Sequence, residues 1–461
     1  MLMQSALVAL GATLAAAVPT LVAKDNYFVN PKTGNRFQIV GVAYQPGGSS
    51  GYDATAPDPL SQKDICLRDA AILQVLGVNA IRVYNLNPDQ NHDECATIFN
   101  SAGMYMILDV NSPLVGEALT SDKPWESYYA SYLNRTFAVV EAFKNYPNTL
   151  AFFSGNEVIN DIGTGATVPP YARAVTRDLK NYVAKHSERP IPVGYSAADV
   201  RDVLFDTFNY FQCAEDGKAD DPSRADIFAL NSYSWCGDSS FKTSGYDKLV
   251  EGFKDSSVPV FYSEYGCNTP SPRIFSEVAS IYGPEMTDVF SGGVVYEYTQ
   301  EANNYGLVNI SSDGSIILRS DYFALQGQYA KLDFTKVQGA KPPTATAPKP
   351  PTCTSKLITT KGFNNNFTIP ALPPELRRSS RRPVSNPDGS VLKGLEVKVL
   401  AADEINSPGT NKADGVASPT NGNSTTTAPD GKPKNAGARP VAIVLPALAM
   451  GAFAFLAGFA I

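Results

Sequence analysis

The sequence predicts an α/β fold, a (β/α)8 TIM barrel, followed by a C-terminal low-complexity stalk. Between residues 37 and 298, eight short apolar stretches alternate with longer segments of helical periodicity. These stretches are continuously apolar, as expected of parallel strands that are covered on both faces. Two of them end in a glutamate, at Glu157 and Glu264. Because a barrel carries its polar site where the strands end, both glutamates are candidate site residues.

The individual elements follow from the same patterns, taken along the chain. Segments 64–76, 92–101, 125–145 and 170–186 have the apolar spacing of helices that pack on a sheet. A doubly wound α/β domain is the alternative, but it needs a glycine-rich phosphate loop after an early strand. Gly163 and Gly165 lack a third glycine and follow the fourth strand, so this alternative is set aside. The predicted strands are 37–44, 80–84, 105–110, 150–157, 192–196, 226–233, 258–264 and 292–298.

Composition divides the chain into four parts. Residues 1–23 are mostly apolar and include many small residues, which predicts a secretory signal that is cleaved between Ala17 and Ala23. Its first residues include no Lys or Arg, which such signals usually carry. Residues 24–340 hold the barrel. Residues 341–438 are rich in Pro, Ser, Thr and Asn and predict a disordered or glycosylated linker or stalk, tied to the barrel near Cys353. Residues 439–461 form a tail that is uncharged and apolar from Val441 onward.

This tail predicts a GPI-attachment signal, in which the tail is removed and a lipid replaces it. Small residues precede it at 435–437, and Asn435 is the candidate attachment residue. A transmembrane helix is the alternative, which the lack of basic residues at the end of the tail disfavours. With the signal sequence, the tail predicts a protein held at the outer face of the cell membrane, with access to the cell wall.

Charge and composition exclude several classes of function. The net charge is −7 without a long Lys/Arg run, so no nucleic-acid partner is expected. Only two histidines occur, His92 and His186, which disfavours a histidine metal site or a Ser-His-Asp triad; neither metal nor cofactor is predicted. Secretion makes the six cysteines candidate disulfides, but spacing does not choose the pairs. Candidate N-glycosylation sites are Asn134, Asn309, Asn366 and Asn423.

The polar residues at the strand ends are carboxylates, amides and tyrosines, which suit the hydroxyls and ring faces of sugars. Glu157 and Glu264 end the fourth and seventh strands, which lie nearly opposite each other in a closed eight-stranded barrel. Their carboxylates are therefore expected about 5 Å apart, the spacing of retaining glycoside chemistry, with one protonated and the other ionised. The alternative is that each glutamate is only a solvated strand end.

At this level of detail the chain resembles the fungal β-1,3-glucanosyltransferases of glycoside hydrolase family 72, the Gas/Gel/Phr type. The resemblance covers residues from about 25 to 340. An Asn-Glu pair alone would indicate only the wider clan of retaining barrel glycosidases, whereas the full set of motifs is specific. The motifs are Gly41–Pro46, Asn79–Tyr84, Ser154–Glu157, Asn231–Gly237, Tyr262–Cys267 and Gly292–Tyr298.

The resemblance implies roles for individual residues. Glu157 matches the family's acid/base and Glu264 its nucleophile. Only Cys353 follows residue 267, so the cysteine-rich glucan-binding module of some members is missing. The residues that match the substrate-binding set are Tyr84, Asn156, Tyr233 and Tyr296, with Gln45 and Asp109 as weaker candidates. By the same analogy the disulfides are Cys66–Cys95, Cys213–Cys353 and Cys236–Cys267.

The expected function is that of a GPI-anchored 1,3-β-glucanosyltransferase. It would cleave β-1,3-glucan internally and transfer the new reducing end to the non-reducing end of a second glucan, with the β configuration retained. The donor and acceptor glucans are the expected partners, and a monomer is expected. The first alternative is an endo-β-1,3-glucanase that transfers to water, which nothing in the spacing or composition excludes. The second is a wall protein that binds glucan without catalysis, which the presence of both glutamates disfavours.

Overall fold

The computed structural model describes residues 18–49, 51–343 and 348–374, together with two short strands, 426–427 and 433–434. Most of the predicted signal sequence and stalk, the apolar tail, Asn423 and Asn435 therefore lie outside the described residues. Within the described part, no helix combines the length and apolarity that crossing a membrane requires.

The described part of the chain begins with a small antiparallel sheet that covers the N-terminal end of a barrel. This sheet contains β1 (Val22–Lys24), β2 (Tyr27–Val29) and β3 (Arg36–Phe37). Val18, Leu21 and Phe28 are buried against apolar side chains of the barrel strands, and the Phe28 ring lies 5.8 Å from that of Phe261. The short sheet therefore seals the end of the barrel opposite to the strand ends that carry the predicted site.

Eight parallel strands close into a barrel, as the sequence predicts, and each strand pairs with its neighbour in chain order. Closure brings the last strand against the first at Gly292, where φ is 83° and a Cβ would lie 2.1 Å from the Ile39 carbonyl oxygen. Only glycine fits this approach. The barrel strands are β4 (Ile39–Ala43), β5 (Ala80–Val83), β6 (Tyr105–Asp109), β7 (Thr149–Asn156), β8 (Val193–Ala198), β9 (Ile227–Asn231), β10 (Val260–Tyr265) and β11 (Phe290–Val295).

Helices surround the barrel, and a hairpin of β12 (Val308–Ile310) and β13 (Ile316–Leu318) follows the last barrel strand. Beyond residue 374 the structure describes only β14 (Thr426–Thr427) and β15 (Pro433–Lys434), which pair antiparallel. The helices are α1 (Lys63–Leu76), α2 (Asp93–Ser101), α3 (Pro124–Ser127), α4 (Ala130–Phe143), α5 (Ile162–Thr167), α6 (Pro169–His186), α7 (Arg201–Gln212), α8 (Tyr246–Phe253), α9 (Val278–Ile281), α10 (Ser320–Tyr329) and α11 (Phe334–Gly339).

The helix predicted over 125–145 is wrong as a single element, because the structure breaks it into α3 and α4. Tyr129 between them is extended, with φ −141° and ψ 172°. The break lets Tyr128 turn inward, where its hydroxyl donates to Asp178 Oδ2 at 2.5 Å. A buried tyrosine hydroxyl needs such a partner. The helical pattern over 125–145 gives no sign of this contact, so the break could not be predicted from the sequence.

Three disulfides join the pairs that the resemblance implied: Cys66–Cys95, Cys213–Cys353 and Cys236–Cys267. The second pair attaches a segment that the composition had assigned to the stalk. We call residues 351–372 the strap. Thr352 pairs with Ala214 in a β-bridge, and the backbone N–H of Thr360 donates to Asp206 Oδ2 at 2.6 Å.

The strap then runs across α7 and α5. The Phe367 ring stacks on Tyr210 at 4.6 Å, and Phe363 is buried, with its ring against Gly165. The backbone N–H of Asn364 donates to the Gly165 carbonyl at 2.9 Å. The packed part of the chain therefore extends past residue 340, where the sequence placed the end of the barrel domain.

The candidate glycosylation sites differ in their exposure. Asn134 on α4 and Asn366 in the strap are exposed, whereas Asn309 on β12 is partly buried. Whether any of them carries a glycan stays a prediction.

Candidate active site

Glu157 and Glu264 line one cavity at the C-terminal end of the barrel, with a volume of about 220 Å³. Glu157 directly follows β7 and has φ 51°, a left-handed conformation that is uncommon for a residue other than glycine. Its backbone N–H donates to the Ser196 carbonyl on β8 at 2.8 Å, which fixes this turn. Glu264 lies within β10 and is 8% exposed.

A fully buried arginine, Arg82 on β5, organises the floor of this cavity. Its guanidinium bonds both oxygens of Asp109, at 3.2 and 2.8 Å, and Glu264 Oε1 at 3.2 Å. It also donates to the side-chain oxygen of Asn156 at 2.8 Å and to that of Asn231 at 3.3 Å. One cation thus holds side chains from five strands, counting its own, and balances two buried carboxylates that would otherwise repel each other.

Three donors contact the carboxylate of Glu264. Oε1 accepts from the Tyr84 hydroxyl at 2.8 Å, and Oε2 accepts from the Tyr233 hydroxyl at 2.6 Å. Burial raises the pKa of Glu264 above its ordinary value, and Arg82 and the two tyrosine hydroxyls offset only part of this rise. A carboxylate with a guanidinium and two hydroxyl donors is held in place and keeps its charge more easily than one without them.

The surroundings of Glu157 favour its protonated form. Burial, and next the negative charge of Glu264, raise the pKa of Glu157 to about 7. A hydrogen bond from Asn231 and the more distant Arg82 only partly offset this rise. When two carboxylates share one cavity, the one with the weaker set of donors retains its proton. Of the two carboxyl groups, Glu157 is therefore the one that keeps its proton more readily.

The six predicted binding residues occupy different positions around this pair. Tyr84, Asp109, Asn156 and Tyr296 line the cavity. Tyr233 contacts Glu264 directly, as described above. Gln45 does not line the cavity: its Oε1 accepts the backbone N–H groups of Tyr84 and Asn85, at 3.2 and 3.1 Å, and so supports the chain beneath Tyr84.

Tyrosine rings form a wall next to Glu264. Tyr296 lies edge-on to Tyr84, Tyr233 and Tyr305, at 6.4, 6.3 and 5.4 Å between ring centroids. Tyr305 comes from the loop after β11 and also packs edge-on against Tyr233 at 5.4 Å. Such a wall offers both apolar ring faces and hydroxyl donors to a carbohydrate.

Sequence reasoning missed several residues that organise this site. Arg82 and Asn231 lie at the polar strand ends, so their position already indicated that they could belong to the site. The sequence analysis nevertheless assigned neither of them a function. Arg273 had no signal: it is buried, pairs with Asp321 at 2.6 Å, and donates to the carbonyls of Gly266, Tyr296 and Tyr305. It thereby ties together the chain after β10 and the chain after β11. Glu297 also belongs to the polar strand ends and received no role. The residues missed altogether are Ser196, Ser263, Arg273 and Tyr305.

A larger cavity, about 560 Å³, lies at the opposite end of the barrel, among segments that precede β8, β9 and β10. One of its two lysines, Lys180, is paired with Asp226 at 2.7 Å and donates to the Arg224 carbonyl at 2.6 Å. Since these charged groups already satisfy each other, the smaller cavity is the better candidate for chemistry. Among the described residues, no group of three or more His, Cys, Asp or Glu side chains is placed to hold a metal ion.

A closed parallel barrel with two glutamates in one polar, tyrosine-walled cavity at its C-terminal end is the arrangement of barrel enzymes that act on glycosidic bonds. The chain belongs to the glucanosyltransferase family, whose model matches residues 10–333. It is 52% identical to the 1,3-beta-glucanosyltransferase gel2 of Aspergillus fumigatus over 418 residues, which is 86% of each chain.

A second relative, the probable 1,3-beta-glucanosyltransferase GAS3 of Saccharomyces cerevisiae, is 48% identical over 387 residues, 78% of this chain and 73% of that one. The fold matches a solved structure of Saccharomyces cerevisiae Gas2p, a glutamate-to-glutamine mutant in complex with laminaritetraose and laminaripentaose. That match has a TM-score of 0.68 at 34% identity, and it covers 78% of this chain and 76% of the other.

Proposed function

We propose that this chain is a retaining 1,3-β-glucanosyltransferase, with Glu264 as nucleophile and Glu157 as acid/base. The observation that carries the proposal is the contrast between the two glutamates in one cavity. Glu264 is bonded by Arg82, Tyr84 and Tyr233, whereas burial and the charge of Glu264 raise the pKa of Glu157 to about 7. Membership in the glucanosyltransferase family supports transfer to a sugar rather than to water.

In the first step, the Glu264 carboxylate attacks the anomeric carbon of an internal β-1,3 linkage, while Glu157 gives its proton to the departing oxygen. The fragment that carries the original reducing end leaves, and the rest of the donor is held as an ester of Glu264. Glu157, now ionised, takes the proton of the 3-hydroxyl at the non-reducing end of an acceptor glucan. That oxygen displaces Glu264, so the product is a longer chain with β configuration.

The binding roles are part of the same proposal. Tyr84, Tyr233 and Tyr296 would contact the sugar through ring faces and hydroxyls, and Asn156 through its amide. Asp109 and Gln45 would act one step away, Asp109 by fixing Arg82 and Gln45 by fixing the backbone of Tyr84.

The test is to incubate the soluble protein with one reduced laminari-oligosaccharide and to size the products. Transfer predicts products longer than the starting oligosaccharide, in a fraction that increases with its concentration. If only shorter products form at high substrate concentration, the chain is an endo-β-1,3-glucanase. If the oligosaccharide binds but no product of any length forms, the chain is a glucan-binding wall protein.

We also propose that the protein is secreted and held at the outer face of the membrane by a GPI anchor near Asn435.

The first described residues indicate where the mature chain begins. The backbone N–H of Val18 donates to Asn100 Oδ1 at 2.9 Å, and both Val18 and Leu21 are buried. Removing these residues would expose apolar surface at the base of the barrel, so we expect cleavage directly after Ala17. N-terminal sequencing of the secreted protein tests this site.

A further inference from the structure

The short helix α5 follows the candidate acid/base Glu157 closely and has little of its own to hold it in place. Residues 158–161 join Glu157 to its first residue, Ile162. Two of its six residues are glycines and two are threonines, which are weak helix formers. Of the six, only Gly165 is buried, so α5 places no side chain in the core. The position of α5 therefore depends on what packs against it.

Hydrogen bonds join α5 to the chain that carries Glu157. The backbone N–H groups of Asn160 and Asp161 both donate to Thr164 Oγ1 at 3.0 Å. In return, the N–H of Thr164 donates to Asp161 Oδ1 at 2.7 Å. At the other end of this segment, Glu157 and Val158 line the cavity. A displacement of α5 would therefore move the chain that carries the Glu157 carboxyl group.

The last turn of α5 lacks donors of its own, and the strap supplies them. In a helix that continued, the carbonyls of Gly165 and Ala166 would accept from the N–H groups four residues further on. Those positions are Pro169 and Pro170, which have no N–H. Instead, Asn364 of the strap donates its backbone N–H to the Gly165 carbonyl at 2.9 Å and its Nδ2 to the Ala166 carbonyl at 3.0 Å. One strap residue thus satisfies both open carbonyls.

The strap residues before Asn364 cover the same helix. The Phe363 ring is buried, and a Cβ on Gly165 would lie 2.7 Å from it, so the ring can pack this closely only on a glycine. At the preceding position, a Cβ on Gly362 would lie 3.3 Å from Ile162 Cγ1. The strap therefore contacts α5 near both of its ends and provides the packing that α5 lacks.

We propose that the strap is a positioning element for the acid/base, in which Phe363 and Asn364 hold α5 and α5 holds the segment that carries Glu157. This inference rests on the proposed function, since it takes Glu157 as the residue that protonates the departing oxygen. Neither strap residue touches the substrate in this scheme. Because proton transfer requires close alignment of donor and acceptor, a displaced Glu157 would act less effectively as acid and as base.

The test uses two substrates that differ in their need for an acid. A laminari-oligosaccharide needs Glu157 to protonate the departing sugar oxygen, whereas an aryl β-laminaribioside with a strongly acidic phenol does not. Asn364→Asp keeps the oxygen that accepts from the Asn366 N–H but loses the donor to α5. Phe363→Ala removes the ring that covers α5. For both variants we expect kcat on laminari-oligosaccharides to fall on the order of tenfold, with the phenol burst within about twofold of wild type.

Phe367→Ala is the matched control within the strap. Its ring stacks on Tyr210 of α7 at 4.6 Å and lies 5.9 Å from the guanidinium carbon of Arg173 on α6. Its loss should therefore lower the melting temperature, as that of Phe363 does, but keep the ratio of the two rates at the wild-type value. Rates are measured well below the lowest melting temperature, so that every variant is folded. A merely structural role of the strap would not change this ratio.

Asn364→Asp decides the matter if Phe363→Ala does not fold. If Asn364→Asp leaves the ratio of the two rates at the wild-type value, the inference is wrong, and the bond from Glu157 to Ser196 suffices to place the acid. It is also wrong if Phe367→Ala changes the ratio as much as Asn364→Asp. Failure of the proposed function is seen in the wild type itself, which then forms no elongated product. The same ratio, measured for hydrolysis, still tests the strap in that case.

Discussion

At the residue scale, Glu157 and Glu264 are chemically identical and differ only in their neighbours. Glu264 receives three donors, one of them a guanidinium, whereas Glu157 lies in the field of the charged Glu264. This asymmetry supports the proposed roles, acid/base for Glu157 and nucleophile for Glu264.

We predict that Glu157→Gln and Glu264→Gln each abolish the elongation of laminari-oligosaccharides while leaving the melting temperature close to that of wild type. The two variants should differ on an aryl β-laminaribioside with a strongly acidic phenol, which leaves without protonation. Glu157→Gln should release the phenol in a burst, because the nucleophile is intact. Glu264→Gln should release none. The opposite result would mean that the two roles are exchanged.

A second prediction concerns Arg82. Arg82→Met should lower the free energy of unfolding by roughly 3–5 kcal/mol, because it leaves Asp109 and Glu264 buried without their cation. Adding Asp109→Asn should recover part of this loss, since one uncompensated charge is removed, while activity should stay low. Denaturant unfolding of the single and double variants measures both effects. Equal free energies of unfolding for wild type and Arg82→Met would show that the guanidinium is not needed to compensate the buried charges of Asp109 and Glu264.

The sequence shows which residues lie at the strand ends, but it does not show which side chains are hydrogen-bonded to them. An apolar run that stops at a glutamate is visible within eight residues of sequence. The bond between Arg82 and Glu264, by contrast, joins positions 182 residues apart, and no local pattern marks it. Glu297 is similar: in the sequence it is an ordinary strand end, and only the fold shows that it is buried.

At the scale of elements, the strap shows why composition alone does not reveal that residues 351–372 pack on the barrel helices. The segment contains prolines, threonines and asparagines, which resemble a linker. Its few apolar residues, such as Phe363 and Phe367, are spaced irregularly and give no helical or strand period. They become a packed surface only because α5 and α7 present glycine and tyrosine to them.

We predict that a chain ending at residue 350 is secreted poorly and melts lower than one ending at residue 374. The shorter chain loses the disulfide between Cys213 and Cys353, whose sequence separation is 140 residues. In the chain-entropy model, a loop of this size contributes on the order of 4–5 kcal/mol. Truncation after 374 should cost little. Similar melting temperatures for the two chains would contradict this, as would free thiols at the two positions.

A finer prediction compares two glycines of α5. Gly165→Ala should destabilise the protein, because its new Cβ would lie 2.7 Å from the Phe363 ring and push the strap away. Gly163→Ala is the matched control: it gains the same helix propensity, with its nearest neighbour, Asp161 Oδ1, at 3.3 Å. Thermal melting should place Gly165→Ala below wild type and Gly163→Ala near it. Equal effects would mean that Phe363 can move without cost.

At the scale of the whole molecule, buried acids make stability depend on pH. Burial raises the pKa of Glu157 and Glu277 to about 7 and that of Glu297 to about 8, from an ordinary value of 4.5. Glu264 adds to the shift at Glu157, and Glu301 and Glu264 add to that at Glu297. In this interval the folded protein binds more protons than the unfolded chain. His186, with its pKa lowered by burial, acts in the opposite direction but is a single group.

We therefore predict that the melting temperature falls as the pH rises from 5 to 8. The stabilising contribution of these acids is complete below about 4.5, the unfolded value, and is lost as the pH rises through about 7 to 8. Glu277→Gln should flatten this dependence, because a neutral amide replaces one of the three acids, and Glu277 lies outside the candidate active-site cavity. Glu251→Gln, at a largely exposed position on α8, should leave the slope unchanged. A melting temperature that is constant or rising between pH 5 and 8 would show that the buried acids ionise without cost to the fold.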